Sequence, residues 1–204
     1  MSSGVPRAAI VELLTAFGRA MQERGFRWYV FGGQAVLAYG RPRMTMDVDI
    51  TVNVAAPAEL LAALEPHGIE PRFPLSDDLL TRLRLLPMMH LPTQIPIDLV
   101  MAGGGLEEDL LARVCLVDVG GVEVPMISVE DLIALKVLAG RRKDLDDVRG
   151  VLAEQRGRIA LDLTREVLAA FEEATGERKL VARLERLLGA KAAKKRTRRT
   201  STRR

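Results

Sequence analysis

Residues 31–52, FGGQAVLAYGRPRMTMDVDITV, leave this chain few folds to choose from. The run before them, Arg27-Trp28-Tyr29-Val30-Phe31, is rich in strand formers. It passes straight into Gly32-Gly33, and Gln34-Ala35-Val36-Leu37-Ala38 then reads as a helix ending at Gly40. Glycine lets backbone approach a ligand closely. A helix start adds free N–H groups and the positive end of the dipole, which together suit a triphosphate. On its own the pair is more often a simple turn. Asp47-Val48-Asp49-Ile50-Thr51-Val52 alternates polar and apolar, the pattern of a half-buried strand. Both carboxylates then share one face, roughly 7 Å apart along the strand, while Val48 and Ile50 point into the core. Two such carboxylates repel unless a cation sits between them, and hard oxygen ligands suit Mg²⁺. The competing reading is the exposed polar face of an edge strand.

A third acid stands in Ile95-Pro96-Ile97-Asp98-Leu99-Val100, where Ile97 and Leu99 face the core and Asp98 faces away. If this strand lies beside the Asp47 strand, three carboxylates converge, as two-metal nucleotidyl transfer requires. Around these segments the pattern gives a helix over 8–24, carried by Ile10, Leu13, Leu14, Phe17 and Met21. It gives a helix over 57–66 and strands over 83–90 and 95–101, with Pro87, Pro92 and Pro96 blurring their ends. A short helix over 106–113 and a hairpin over 114–126, turning at Gly120-Gly121, follow. Ser128-Val129-Glu130-Asp131 resembles a capping box opening a helix to Ala139. Helices over 144–154, 161–174 and 177–188 complete the chain. The fold class is α/β (α+β): a small mixed sheet with flanking helices, then a helical part. The expected boundaries are 1–127, 128–189 and a disordered basic tail, 190–204.

The glycine pair, residues 34–46, Asp-x-Asp on a strand and a later acid on another strand resemble the signature of the DNA polymerase β-like nucleotidyltransferase superfamily. The resemblance covers residues 25–100. It implies that Gly32 and Gly33 cover the triphosphate of an NTP and that Asp47, Asp49 and Asp98 bind Mg²⁺ (or Mn²⁺). Gly32-Gly33-x-Ala35, Tyr39-Gly40 and Arg43-x-Thr45-x-Asp47-x-Asp49 look more closely like the AbiEii-like toxin nucleotidyltransferases. That branch also carries a downstream Lys on a helix and an Arg/Lys-Asp-x-x-Asp element, matched by Lys136 and by Lys143-Asp144-Leu145-Asp146-Asp147. It implies a toxin with a cognate antitoxin. Lys136 falls on the face of Leu132 and Ile133. A cation there either snorkels to water or meets an anion, a triphosphate being one candidate. Arg43 is a phosphate contact or a surface arginine. Asp144 and Asp147 are expected to pair with nearby basic residues.

Almost half the residues are apolar, enough for a core with few aromatics. Cys115 is the only cysteine, so an internal disulfide is excluded; it reads as a small buried hydrophobe. His67 and His90 stand apart, outside any metal or triad spacing, and read as structural or surface residues. No signal peptide or membrane span is apparent, so a cytoplasmic protein is expected. The formal charge is +3, but residues 190–204 carry eight Lys or Arg and no acid, so the remainder sums to −5. That tail binds nucleic-acid phosphates or only solubilises the chain. The leading expectation is therefore NMP transfer from an NTP to RNA, with tRNA first in mind, or to a protein. The alternatives are a small-molecule (antibiotic) nucleotidyltransferase and an inactive nucleotide- or partner-binding module.

Overall fold

The computed structural model describes residues 6–41, 44–74, 76 and 84–189. Arg43 and the basic segment 190–204 lie outside the described residues. In chain order the first elements are α1 (Arg7–Arg24), β1 (Arg27–Phe31), α2 (Gly32–Tyr39), β2 (Val48–Asn53) and α3 (Pro57–Leu64). A 3₁₀ turn (Glu65–His67) leads to β3 (Ile69–Pro71), β4 (Leu85–His90) and β5 (Ile95–Met101). Then come α4 (Leu106–Ala112), β6 (Cys115–Asp118) and β7 (Glu123–Met126). Helices α5 (Val129–Ala139), α6 (Arg142–Glu154) and α7 (Leu161–Thr175) follow, and residues 180–189 form α8. The class is mixed α/β, as the pattern implies.

The chain divides into two compact units. The first takes residues to Ala38 and again from Pro42 to Ser128; the second takes Tyr39–Arg41 and the chain from Val129. In the first unit seven strands form one sheet in the order β3-β4-β5-β2-β1-β7-β6. β2 runs parallel to β5 and β1 parallel to β7; the other pairs are antiparallel. Alternation sets which residues are buried. Val30, Ile50, Leu99 and Leu86 form one cross-strand row, and none is exposed. α1 packs on α3 and β5, and buries Leu13, Leu14, Phe17 and Met21. Each fully buried side chain of this size stabilises the fold by about 1.5–3 kcal/mol. His90 is also buried, with Nδ1 2.7 Å from Thr93 Oγ1. Burial holds its pKa below the ordinary value, against an opposing pull from Glu12.

In the second unit α5 is buried on most sides and packs against both α6 and α7. Leu132, Ile133, Ala134 and Val137 are buried on α5, and Leu168, Phe171, Leu180 and Leu184 on the helices that follow it. No helix among the described residues is long and apolar enough to cross a membrane.

Several expectations need correction. Cys115 is exposed, because β6 is the edge strand of the sheet and stands largely in solvent. The short strand β3 breaks the pattern-based gap between α3 and β4. The glycine pair is no separate turn: Gly32 and Gly33 are the first two residues of α2. Strand β2 starts at Val48, so Asp47 stands just before the strand.

Candidate active site

Asp49 and Asp98 are brought together by register. On parallel neighbours β2 and β5 they are direct partners, in a row that continues to Phe31 on one side and Pro87 on the other. Adjacent strands lie about 4.8 Å apart, so two carboxylates occupy neighbouring positions on one face. Like charges so placed oppose each other. Among the described residues Asp98 has no hydrogen-bond or ion-pair partner.

Asp49 is held by the glycine pair. The Gly33 N–H donates to Asp49 Oδ2 at 3.1 Å. Gly32 has φ +60°, and a Cβ there would lie 1.7 Å from Asp49 Oδ2. No side chain fits between this helix start and the carboxylate. A Cβ on Gly33 would lie 2.4 Å from Thr45 Oγ1. The pair thus admits the carboxylate and Thr45 at once, and one N–H expected to meet a triphosphate is instead engaged by Asp49.

Asp47 is placed by side chains rather than by a strand ladder. Its carbonyl accepts from Gln34 Nε2 and from Thr45 Oγ1, each at 3.4 Å. Its carboxylate accepts from the Thr45 hydroxyl at 2.8 Å. Thr45 is nearly buried, so this contact is shielded from water. Thr45 and Gln34 are the residues that reading by charge and spacing passes over. A hydroxyl two residues before an acid gave a faint signal for Thr45; nothing in the sequence marked Gln34.

Lys136 stands in the second unit, on α5. Its Nζ donates to Asp144 Oδ1 at 3.0 Å and to Asp147 Oδ2 at 2.9 Å. Asp144 is fully buried and also accepts from Arg141, at 2.5 Å from Nε and 3.3 Å from the terminal nitrogen. Burial pushes the Asp144 carboxyl up, but the hydrogen bonds from Arg141 and Lys136 outweigh it and hold its pKa below the usual value. Asp144 and Asp147 do pair with basic neighbours.

Among the described residues no three His, Cys, Asp or Glu side chains stand as a finished metal site. The donor chemistry nevertheless fits Mg²⁺ or Mn²⁺. Mg²⁺ is ordinarily held by one or two carboxylates, with waters and substrate phosphates completing its shell. Asp49 and Asp98 supply such a pair, and Asp47 stands two residues upstream of Asp49.

The fold is similar to that of the antibiotic-resistance factor ANT(2'')-Ia. Its solution structure shares 16% identity, over 84% of this chain and 95% of that one, with a TM-score of 0.57. Its crystal structure in complex with adenylyl-2''-tobramycin shares 18%, over 81% and 98%, with a TM-score of 0.55. The lincomycin-bound lincosamide antibiotic adenylyltransferase LnuA shares 16%, over 73% and 98%, with a TM-score of 0.49. No curated protein matches the chain in sequence. The model of one family, described as nucleotidyl transferase of unknown function (DUF2204), matches residues 10–186, and the chain belongs to that family.

Proposed function

We propose that this chain transfers a nucleoside monophosphate from an NTP to an acceptor hydroxyl, with Asp47, Asp49 and Asp98 as the ligands of Mg²⁺ or Mn²⁺. The observation that carries the reading is the pairing of Asp49 with Asp98 beside a helix start shaped around Asp49. When bound, the metal supplies charge against the triphosphate and lowers the pKa of the attacking hydroxyl. The rest falls to the chain. Gly32 and Gly33 hold Asp49 in place and keep the start of α2 free of side chains for the triphosphate. Thr45 holds Asp47. Asp98 takes the acceptor's proton as its oxygen bonds to the α-phosphorus. The bond from that phosphorus to the bridging oxygen breaks, and pyrophosphate leaves with the electron pair. Arg43 is assigned to the phosphates. For Lys136 a positioning role inside the helical unit has the better support, since two of its three N–H donors are engaged.

The test is label transfer. Purified protein with Mg²⁺ and each α-labelled NTP is offered total RNA, cell protein and a small-molecule extract, beside Asp49→Asn. Label in one fraction, absent from the variant, is the expected result. Equal label with Asp49→Asn sinks the assignment.

RNA, tRNA included, and protein are the acceptors the sequence favours, in the cytoplasm. A small-molecule acceptor is the second reading. It gains from the ANT(2'')-Ia likeness, in which this fold spans 98% of the chain whose crystal structure holds adenylyl-2''-tobramycin. The AbiEii-like toxin assignment, with a cognate antitoxin, is a finer proposal. Growth arrest on expression, lost in Asp49→Asn, supports it; unaffected growth removes it.

A further inference from the structure

A hollow in the first unit lies away from the acids. It holds about 510 Å³ and is bounded by α1, the 3₁₀ turn at Glu65–His67 and the turn between β4 and β5. A hollow of that size takes a small molecule. His90 pairs with Ile95, and Ile95, Ile97 and Leu99 alternate with Asp98, so this hollow lies on the opposite face of the sheet. His90 makes it more than a gap between elements. The residue is 1% exposed and lines the hollow. Its Nδ1 is engaged by Thr93 Oγ1, whereas Nε2 has no hydrogen-bond partner among the described residues. No buried side-chain nitrogen or oxygen among them lacks a partner, so Nε2 is the part of the ring that stays open. A polar atom set this deep needs a partner that the chain itself does not supply.

Four lining residues can carry charge: Glu12 and Arg19 on α1, His67 and His90. His67 Nε2 is engaged by Glu23 at 3.1 Å. Burial lowers the pKa of His90, so its ring is neutral at pH 7. Glu12 and Arg19 have neither a hydrogen bond nor an ion pair among the described residues. About two helical turns separate them, on the order of 10 Å along α1. Thr15 stands between them; its hydroxyl donates to the Val11 carbonyl at 2.7 Å and keeps lone pairs to accept. Pro66 and Pro92 supply apolar walls. Charges on a helix face ordinarily meet only water. Here one of each sign borders a hollow with an open imidazole nitrogen.

We propose that this hollow binds a small zwitterion of dipeptide size, its carboxylate on Arg19, its ammonium on Glu12 and an apolar side chain against Pro66 and Pro92. The charges of an extended dipeptide stand roughly 6–7 Å apart. With a hydrogen bond of about 3 Å at each end, such a ligand reaches both side chains. Its peptide group meets His90 Nε2 and Thr15 Oγ1. The neutral imidazole donates or accepts there according to the tautomer that Thr93 selects. A ligand with one charge leaves Glu12 or Arg19 without a partner. The proposal does not depend on the transfer reading, because none of these residues takes part in it.

The probe is the dipeptide alanyl-leucine with both termini free, titrated into the full chain beside its N-acetyl and its C-terminal amide forms. The chain has two histidines and both line the hollow, so their imidazole proton resonances report occupancy. The free dipeptide is expected to shift the His90 resonances saturably, with a Kd on the order of 1 mM. Each blocked form is expected to bind about tenfold more weakly, having lost one charge-assisted contact. Glu12→Gln should weaken the free dipeptide about tenfold and leave the N-acetyl form unchanged. Arg19→Gln should weaken the free dipeptide by as much and leave the amide form unchanged. Both residues are exposed, and an unmoved denaturant midpoint shows that each variant folds. His90 resonances that the free dipeptide leaves unmoved overturn the proposal. So do blocked forms that bind as well as the free one, or variants that bind all three forms as wild type does.

Discussion

The acids are set by the smallest residues near them. Asp49 lies against a position where even a methyl group would overlap its carboxylate, 1.7 Å from Oδ2. Gly32→Ala therefore fails twice. The alanine must hold φ +60°, a conformation that strains a non-glycine residue by about 1–3 kcal/mol. It must also displace the Asp49 carboxylate, which the new Cβ would overlap. The expected outcome is a loss of transfer of about a hundredfold or more, with a fall in stability at least as large as the strain. Rates of label transfer beside a denaturant midpoint check it. A variant that keeps wild-type activity breaks the link between Gly32 and the carboxylates. Charge and alternation made Asp49 and Asp98 legible in the sequence, because an acid in an apolar strand has few innocent explanations. Thr45 was legible only as a motif position without a role, and Gln34 was not legible. Their roles depend on where the loop before β2 turns, and that turn is settled by side-chain bonds to the Asp47 carbonyl.

At the scale of elements, the helical unit is tied by a buried ionic knot across α5 and α6. Lys136→Met removes this ion pair from Asp147 and leaves Asp144 with Arg141, so the cost is below that of stranding a buried charge outright, about 3 kcal/mol or less. Chemical denaturation measures it. Loss of transfer without loss of stability would instead favour triphosphate contact for Lys136. The same knot sets a pH dependence. The folded pKa of Asp144 is lowered, so its contribution is complete above the unfolded carboxylate value of about 4 and fades as pH falls through the lower folded value. Wild type should lose this stability on acidification, and Asp144→Asn should show a flatter profile below about pH 4. Element positions were readable where periodicity was long, as in α1 and β5. They were misread where bonding rather than pattern sets the end, as at Asp47. The prolines that blurred β4 are accommodated locally. The Pro87 carbonyl accepts from the Arg72 N–H, so the position that lacks its own N–H faces the side where β3 has already ended at Pro71.

For the molecule as a whole, charge and chemistry are divided along the chain. The eight cations of residues 190–204 offset a remainder that sums to −5, and the acids of the candidate site belong to that negative part. If the tail holds nucleic acid, it does so through phosphates and without reading sequence. With no aromatic residue among its cations, it offers no surface for stacked bases. Deleting 190–204 should then weaken RNA binding at low salt. It should also lower the slope of log affinity against log salt, by at most about 6 for a single strand if every cation meets a phosphate. If the tail serves nucleic acid alone, transfer to a small acceptor should not change. An unchanged RNA affinity would leave the tail a solubilising segment. A fall in small-acceptor transfer on the same deletion would mean that the cations serve the triphosphate, and the separation of binding tail from catalytic face would fail.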